Sequence, residues 1–439
     1  MTRILDVYLH QHLAGQLIQD EHGQMIFQYA ERWQESPGMV PLSHSLPVRR
    51  EPFDRNECRG FFAGILPEES KRDIIARNLG ISARNDFAML EQIGGECAGA
   101  VTFVPAGQAL PERQDHYRHL TPSELANILR ELPRCPLMAG EEGVRLSLAG
   151  AQDKIAVHIS EGKISLPLGS APSTHILKPN IEHFEGIVFN EALCMQLAYE
   201  AGLNTAKVEI GNVEGIDYLL VERYDRSMLQ AFPGGPRYLH REHQEDFCQA
   251  LGIVSENKYQ NEGGPSLKQC FELVRKVVTS PVIDLQALLD AVIFNFLIGN
   301  HDAHGKNFSF LYSGETLLGH SRSLAPLYDL LSTVYYPELS SKMAMKIGGE
   351  SVSDKVLPKH FERLAEEAGL AKPMVKRRVT EMATLVLSKL SDIAIAHPVA
   401  TAVAELIQNR CERTISCGVK WMVHGVPLYV AMTGIIPYI

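Results

Sequence analysis

The polar segment His301-Asp302-Ala303-His304-Gly305-Lys306-Asn307 is wedged between two apolar runs, residues 288–299 before it and 308–312 after it. A chain that inserts so polar a stretch between two segments bound for the interior must hydrogen-bond it or use it, because buried polar groups without partners cost free energy. The spacing says which use. Asp302 followed five positions later by Asn307 is the interval of a protein-kinase catalytic loop, where the Asp takes the proton of the attacking hydroxyl and the Asn holds a metal ion. Such a loop needs a second acidic residue downstream, on a separate turn, to grip Mg²⁺ on nucleotide phosphates, and Asp329 is placed for it. An ordinary capping loop is the bland alternative, since Asp and Asn crowd into polar turns.

Phosphoryl transfer also needs backbone amides over the phosphates and a cation that reaches them. Ser147-Leu148-Ala149-Gly150-Ala151-Gln152-Asp153-Lys154 is rich in small residues and precedes a strand-like run, so its N–H groups can approach phosphate oxygens. It lacks the G-x4-G-K-[ST] pattern of a Walker loop, and a plain turn between strands would look the same. Lys178 follows the strand-like Thr174-His175-Ile176-Leu177 and suits pairing with the α- and β-phosphates; Glu191, early in the next helical pattern, is its natural partner. A strand-end lysine that snorkels to water is the alternative. Glu222, Arg223 and Tyr224 suit a link between two lobes, with main-chain groups receiving adenine and Tyr224 packing on it. Equally, Glu222-Arg223 and Asp225-Arg226 would make a surface salt-bridge group. His304 and Lys306 are placed to contact phosphate or neutralise charge. The order of these features along the chain carries more weight than any one of them.

At 439 residues the chain is long enough for two or three domains with a substantial core. Its net charge of −10 offers no electrostatic case for the chain itself gripping nucleic acid or an anionic membrane. The eight cysteines include no C-x-x-C pair and no grouping with histidines at zinc-ligand intervals, which fits buried thiols in a reducing cytoplasm. The N-terminal MTRILDVYLHQHLAG lacks the apolar core of a signal peptide. The apolar stretch 418–439 is broken by Lys420, His424, Pro427, Gly434 and Pro437, and reads as a packed or poorly ordered tail rather than an anchor.

The periodicities predict an α+β protein in five parts. Residues 1–105 open with a hairpin (Val7, Leu9 and Leu13, a turn at Glu21-His22-Gly23, then Met25-Ile26-Phe27), followed by helices near 68–79 and 86–93 and a strand at 99–103. Residues 106–143 form a connector with one helix over 122–132, capped by Thr121. Residues 144–230 alternate strands (155–159, 174–177, 218–221) with a helix over 190–201 that ends at Gly202. Residues 231–416 are mostly helical apart from the candidate site, and 417–439 are the tail.

Together these segments resemble the HipA family of serine/threonine kinases, the toxin half of bacterial toxin–antitoxin pairs. The matching stretches are SLAGAQDK (147–154), THILKP (174–179), Asn190-Glu191, VERYDR (221–226), QEDFCQ (244–249), GNHDAHGKNFS (299–309) and PLYDLLS (326–332). Pro41-Leu42-Ser43 and GGECAGAVTFVP (94–105) match near the N-terminus, so the resemblance spans most of residues 3–410. It implies a two-lobed protein-kinase-like fold, similar to lipid and cyclin-dependent kinases, with a β-rich N-terminal subdomain and an all-helical C-terminal lobe. It implies ATP and Mg²⁺ as cofactors, Asp302 as catalytic base, and Asn307 and Asp329 as metal ligands. Lys178 would contact the nucleotide phosphates and Ala149, Gly150, Ala151, Gln152, Asp153 and Lys154 would cover them. Glu222, Arg223 and Tyr224 would form the adenine hinge, with His304, Gly305, Lys306, Asn307 and Tyr328 completing the ATP site. Ser147 matches the family's autophosphorylated serine, and a phosphate there would add roughly two negative charges beside the triphosphate and expel the loop. The implied partners are a small helix-turn-helix antitoxin, which carries the chain to operator DNA as corepressor, and a protein substrate, glutamate–tRNA ligase.

Two features depart from the family pattern. Residues 347–354 (IGGESVSD) carry no positive charge, so direct contact of that loop with DNA is not supported, and the stretch from Cys417 onward does not resemble the usual polar terminus. Two other functions stay open at this level. One is a catalytically idle scaffold for a DNA-binding antitoxin, favoured by the large N-terminal portion and an acidic charge that suits a basic partner. The other is a small-molecule phosphotransferase, since Asp-x4-Asn also occurs in aminoglycoside-type enzymes.

Overall fold

Period-two patterning at the N-terminus becomes a meander. In the computed structural model, which describes residues 2–35, 40–110, 116–230, 235, 237–314 and 321–422, strands Arg3–Leu9, His12–Gln19 and Met25–Tyr29 pair antiparallel in succession. Val101–Pro105 adds to the free edge of the first. Leu5, Val7, Leu17 and Phe27 are fully buried, and helices Arg55–Gly64, Glu69–Leu79 and Asp86–Ile93 bring Phe61, Phe62, Ile75 and Leu90 into the same core.

That core runs on into a six-stranded antiparallel sheet of order Val208–Val213, Ile216–Glu222, His175–Pro179, Ile155–Ser160, Lys163–Leu168 and His116–His119. Ile155, Val157, Leu166 and Leu177 share it with the meander, so no core boundary falls near residue 105. The segment expected as a connector is therefore integral. His116–His119 is the sheet's edge strand, and helix Pro122–Glu131 buries Leu125, Ala126 and Leu129 in the same core. This helix begins where the sequence places it. The Thr121 hydroxyl accepts from Glu124 N–H, the Glu124 carboxylate accepts from Thr121 N–H, and Pro122 occupies the first position.

A second core is built by helices Ile187–Glu200, Leu267–Val277, Pro281–Ile298, Pro358–Glu367, Lys372–Lys389 and Pro398–Met422. Helix Pro281–Ile298 is long and apolar enough to cross a membrane, but Leu288, Leu289, Ile293, Phe294 and Leu297 are fully buried in this core. The all-helical expectation for the C-terminal half needs correction. His243–Asp246, Ser309–Ser313 and Ser321–Leu324 form a three-stranded sheet, and Lys342–Ile347 with Glu350–Val352 a hairpin. The architecture is mixed α/β. Phe310 and Tyr312, in the apolar run that leaves the polar loop, are buried on a strand whose short length hid its period. All eight cysteines are unpaired thiols. Of the expected tail, the last helix carries the backbone to Met422, and residues 423–439 lie outside the described residues.

Candidate active site

The polar loop is ordered by its own amides. Helix Pro281–Ile298 stops at Gly299, whose φ of +71° and contact with Val334 (an added Cβ would lie 2.5 Å from Cγ2) leave room only for glycine. Asn300 then accepts from Asp302 N–H at 3.1 Å and donates to Asn295 Oδ1 at 2.8 Å and to the Asp329 carbonyl at 3.4 Å. Asn307 Nδ2 donates to the Asp302 carbonyl at 3.0 Å. The Asp302 carboxylate itself accepts one bond, from Tyr259 OH at 2.7 Å, and is half-buried. It faces a cavity of about 920 Å³ that Asn307, Asp329, Lys178 and Glu191 also line.

Lys178 is buried at the inner end of its strand, donating to Glu191 Oε1 at 2.7 Å and to Asp329 Oδ1. It does not snorkel. Burial alone would lower its pKa, but Asp329 and Glu191 outweigh that and hold the ammonium charged. Burial would raise the Asp329 pKa, but Lys178 and Lys154 hold it low. Asp329 sits at φ +53°, in the left-handed region that a non-glycine residue seldom occupies unless its surroundings fix it.

Across the cavity, Ala149, Gly150, Ala151, Gln152, Asp153 and Lys154 form a loop that docks on the N-terminal portion. Gly150 has φ +109°, and a Cβ there would lie 2.7 Å from Lys154 Nζ. Its carbonyl accepts from Glu68 N–H at 3.3 Å, and Asp153 pairs with Lys71 at 2.6 Å. Lys154 Nζ donates back to the Ala149 carbonyl, and burial pushes its pKa down to about 8. Ser147 is fully buried, its hydroxyl donating to the Ile65 carbonyl at 3.0 Å, so a phosphate can reach it only if this segment leaves its seat.

The expected hinge is where strand Ile216–Glu222 runs out, and it is more structural than foreseen. Glu222 and Arg223 N–H groups bond the carbonyls of Lys207 and Thr174. The Arg223 guanidinium is engaged by Asp225 (2.7 Å), Glu96 (3.3 Å) and Ser173 Oγ (2.9 Å). The salt-bridge reading is thus right for Arg223, Asp225 and Arg226, but the group is buried and its third carboxylate is Glu96. Tyr224 keeps its aromatic face for the cleft, stacked on Tyr328 with centroids 5.8 Å apart. His304 and Lys306 line the same cavity, and both they and Gly305 are held by protein contacts. The Lys306 ammonium is taken up by Asp246 (2.7 Å), the Gly64 carbonyl (3.0 Å) and Glu68 (3.5 Å). His304 is buried edge-on to Tyr259, and burial lowers its pKa, so it is neutral at pH 7. Gly305 packs against Pro265 and Cys248. The site residues that sequence reasoning missed are Asn300, Tyr259, Glu68, Lys258 and Lys71. Asn300 adjoins the motif and was within reach of it; the others lie far away along the chain with no local pattern.

The profile of the HipA-like C-terminal domain matches residues 146–390, and that of the HipA N-terminal domain residues 5–104. The Sinorhizobium fredii protein Y4mE is 45% identical over 427 residues, covering 94% of this chain and 98% of that protein. The serine/threonine-protein kinase toxin HipA of Shewanella oneidensis is 30% identical over 409 residues, 90% of each chain. The structure of the Shewanella HipA, HipB and operator DNA complex matches with a TM-score of 0.81 at 29% identity, covering 97% of this chain and 100% of that one. With both domain profiles in sequence and nearly the whole chain superposing on a HipA structure, this protein belongs to the HipA family.

Proposed function

We propose that this protein is an ATP- and Mg²⁺-dependent serine/threonine protein kinase that works in the cytoplasm as the growth-arresting toxin of a toxin–antitoxin pair. The observation that carries the reading is the meeting, in one cavity, of the half-buried Asp302, Asn307 and Asp329 with a buried Lys178–Glu191 pair. ATP would place its adenine by Tyr224 and Tyr328, along the Glu222–Tyr224 backbone, and its phosphates under residues 149–154. Lys178, held by Glu191, exchanges its contact with Asp329 for phosphate oxygens. Asp302, oriented by Tyr259, accepts the proton of a serine hydroxyl as that oxygen bonds the γ-phosphorus and the bond to ADP breaks.

The donor set suits Mg²⁺. Among the described residues there is no cluster of three or more His, Cys, Asp or Glu able to cage a metal. Mg²⁺ needs no cage, taking one or two protein oxygens and completing its shell with water and phosphate. Asn307 and Asp329 would hold it, and when bound it supplies charge neutralisation on the transferred group. The Shewanella complex of HipA with HipB and operator DNA supports an antitoxin and operator DNA as partners. The family resemblance suggests that the antitoxin is a small helix-turn-helix protein through which this chain reaches DNA as corepressor. Glutamate–tRNA ligase, or another translation protein, is the substrate the family suggests, and Ser147 the autophosphorylated serine.

Incubating the purified protein with γ-labelled ATP, Mg²⁺ and a bacterial lysate, followed by mass spectrometry, tests the reading. Phosphoserine on Ser147 and on one lysate protein is expected, and Asp302→Asn should fold normally yet transfer nothing. A labelled metabolite with no labelled protein would favour a small-molecule phosphotransferase, and no label at all an idle scaffold.

A further inference from the structure

The N-terminal portion lies outside the kinase-like motifs, yet one of its carboxylates reaches both sides of the cleft. Glu68 is the residue before helix Glu69–Leu79, and its side chain makes no capping bond to that helix. Instead its carboxylate is buried in the C-terminal half, with Oε2 2.8 Å from Lys258 Nζ and Oε1 3.5 Å from Lys306 Nζ. Lys258 is followed directly by Tyr259, whose hydroxyl holds Asp302 at 2.7 Å. Lys306 lies four residues beyond Asp302 in the same loop. Through its N–H, Glu68 also holds the Gly150 carbonyl of the phosphate-side loop at 3.3 Å. The next residue, Glu69, has φ +49°, a strained conformation for a side chain of that size, and it adds a second carboxylate to Lys258 at 3.0 Å. Strain of this kind persists where surrounding contacts over-determine it, and it clusters at working sites.

We infer that Glu68 is a positioning residue, through which the N-terminal portion sets the catalytic loop by way of Lys258 and Tyr259. The inference rests on the kinase reading above. A merely structural ion pair would affect how much protein is folded. A positioning role affects the rate of transfer once ATP is bound, because Asp302 depends on Tyr259 and Tyr259 on its neighbour's anchor.

The test uses the full chain and its phosphoryl transfer, normalised to folded protein. Glu68→Gln and Tyr259→Phe are each expected to lower kcat about tenfold or more, with the KM for ATP within about threefold of wild type. The double variant should be no more than about threefold slower than the slower single one, since both cut the same link. A Glu68→Gln kcat within about twofold of wild type, or losses that multiply in the double variant, would overturn the inference, whatever happens to Tm. If Glu68→Gln does not fold, Lys258→Met reads the same link: a tenfold lower kcat supports it and an unchanged one overturns it. Absence of transfer by the wild type would instead take down the kinase reading, and this inference with it.

Discussion

Two groups of charged side chains, one behind the hinge strand and one facing the cavity, behave differently. Behind the hinge, Glu96 and Asp225 are enclosed by Arg223, Arg226 and Arg241, with contacts of 2.7–3.6 Å, and Asp225 also accepts from Gly99 N–H at 2.8 Å. Burial would raise the Glu96 pKa, but the arginines outweigh it and hold the carboxyl at about 2. Facing the cavity, Lys154, Lys178, Glu191 and Asp329 form the other group, with Asp329 still 36% exposed. Planar guanidinium forks fill the lone pairs of a carboxylate in fixed directions. An ammonium is a point charge that can change partners. The arginine group is closed and holds geometry, whereas the lysine group is open and can hand its contacts to a ligand.

The largest expected effect separates the two. Asp329→Ala should cut phosphoryl transfer by at least about 10³-fold, roughly 4 kcal/mol of transition-state stabilisation, while stability changes by about 1 kcal/mol or less. Labelled-ATP assays and urea unfolding of the same preparation check it, and activity within tenfold of wild type would break the comparison. Arg223→Met should do the reverse. It leaves Glu96 and Asp225 buried with less than their full complement of charge, and should cost about 3–5 kcal/mol of stability. Activity per folded molecule should stay within a fewfold. An Arg223→Met variant that melts like wild type would mean that the arginine group is no more closed than the lysine one.

The same contrast explains what was legible in the sequence. Asp302, Asn307, Asp329, Lys178 and Glu191 announce themselves because their chemistry demands set spacings and places at the ends of apolar runs, and those places bring them to one cavity. Arg223 and Lys306 sit beside such positions, but of their carboxylate partners only Asp225 is local, whereas Glu96, Asp246 and Glu68 lie far away along the chain. VERYDR shows the local Arg223–Asp225 pair but not its burial on Glu96, and nothing local to HGKN shows which way Lys306 turns. The fold shows the same division. Thr121 with Glu124 fixes a helix start locally, and the meander's alternation is visible because one face is buried. The edge strand His116–His119 is polar on both faces and so has no period to detect, and this made an integral segment look like a connector.

The smallest expected effect concerns pH and follows from the open group alone. Lys154 is half-buried, and its pKa is pushed down to about 8 from an ordinary 10.5, chiefly by loss of water around the ammonium and further by Lys178, with Asp329 opposing. It is a cation below pH 8 and mostly neutral above. Phosphate oxygens favour the cation, so ATP affinity should fall as pH rises through 8, by at most about tenfold per pH unit, and binding at pH 8–9 should take up a proton. Stability should move the other way. Between pH 8 and 10.5 the unfolded chain binds more protons at this lysine than the folded one, so Lys154 contributes a rise in unfolding free energy with pH across that window. Calorimetric titration of ATP in buffers of different ionisation heat measures the proton uptake, and Lys154→Met should abolish it while weakening binding at pH 7. The arginine group predicts no slope in this range, because guanidinium does not titrate there. A proton uptake that survives Lys154→Met would therefore have to be traced to another group in the lysine cluster, and Lys178, whose carboxylate partners keep it charged through this window, is not that group.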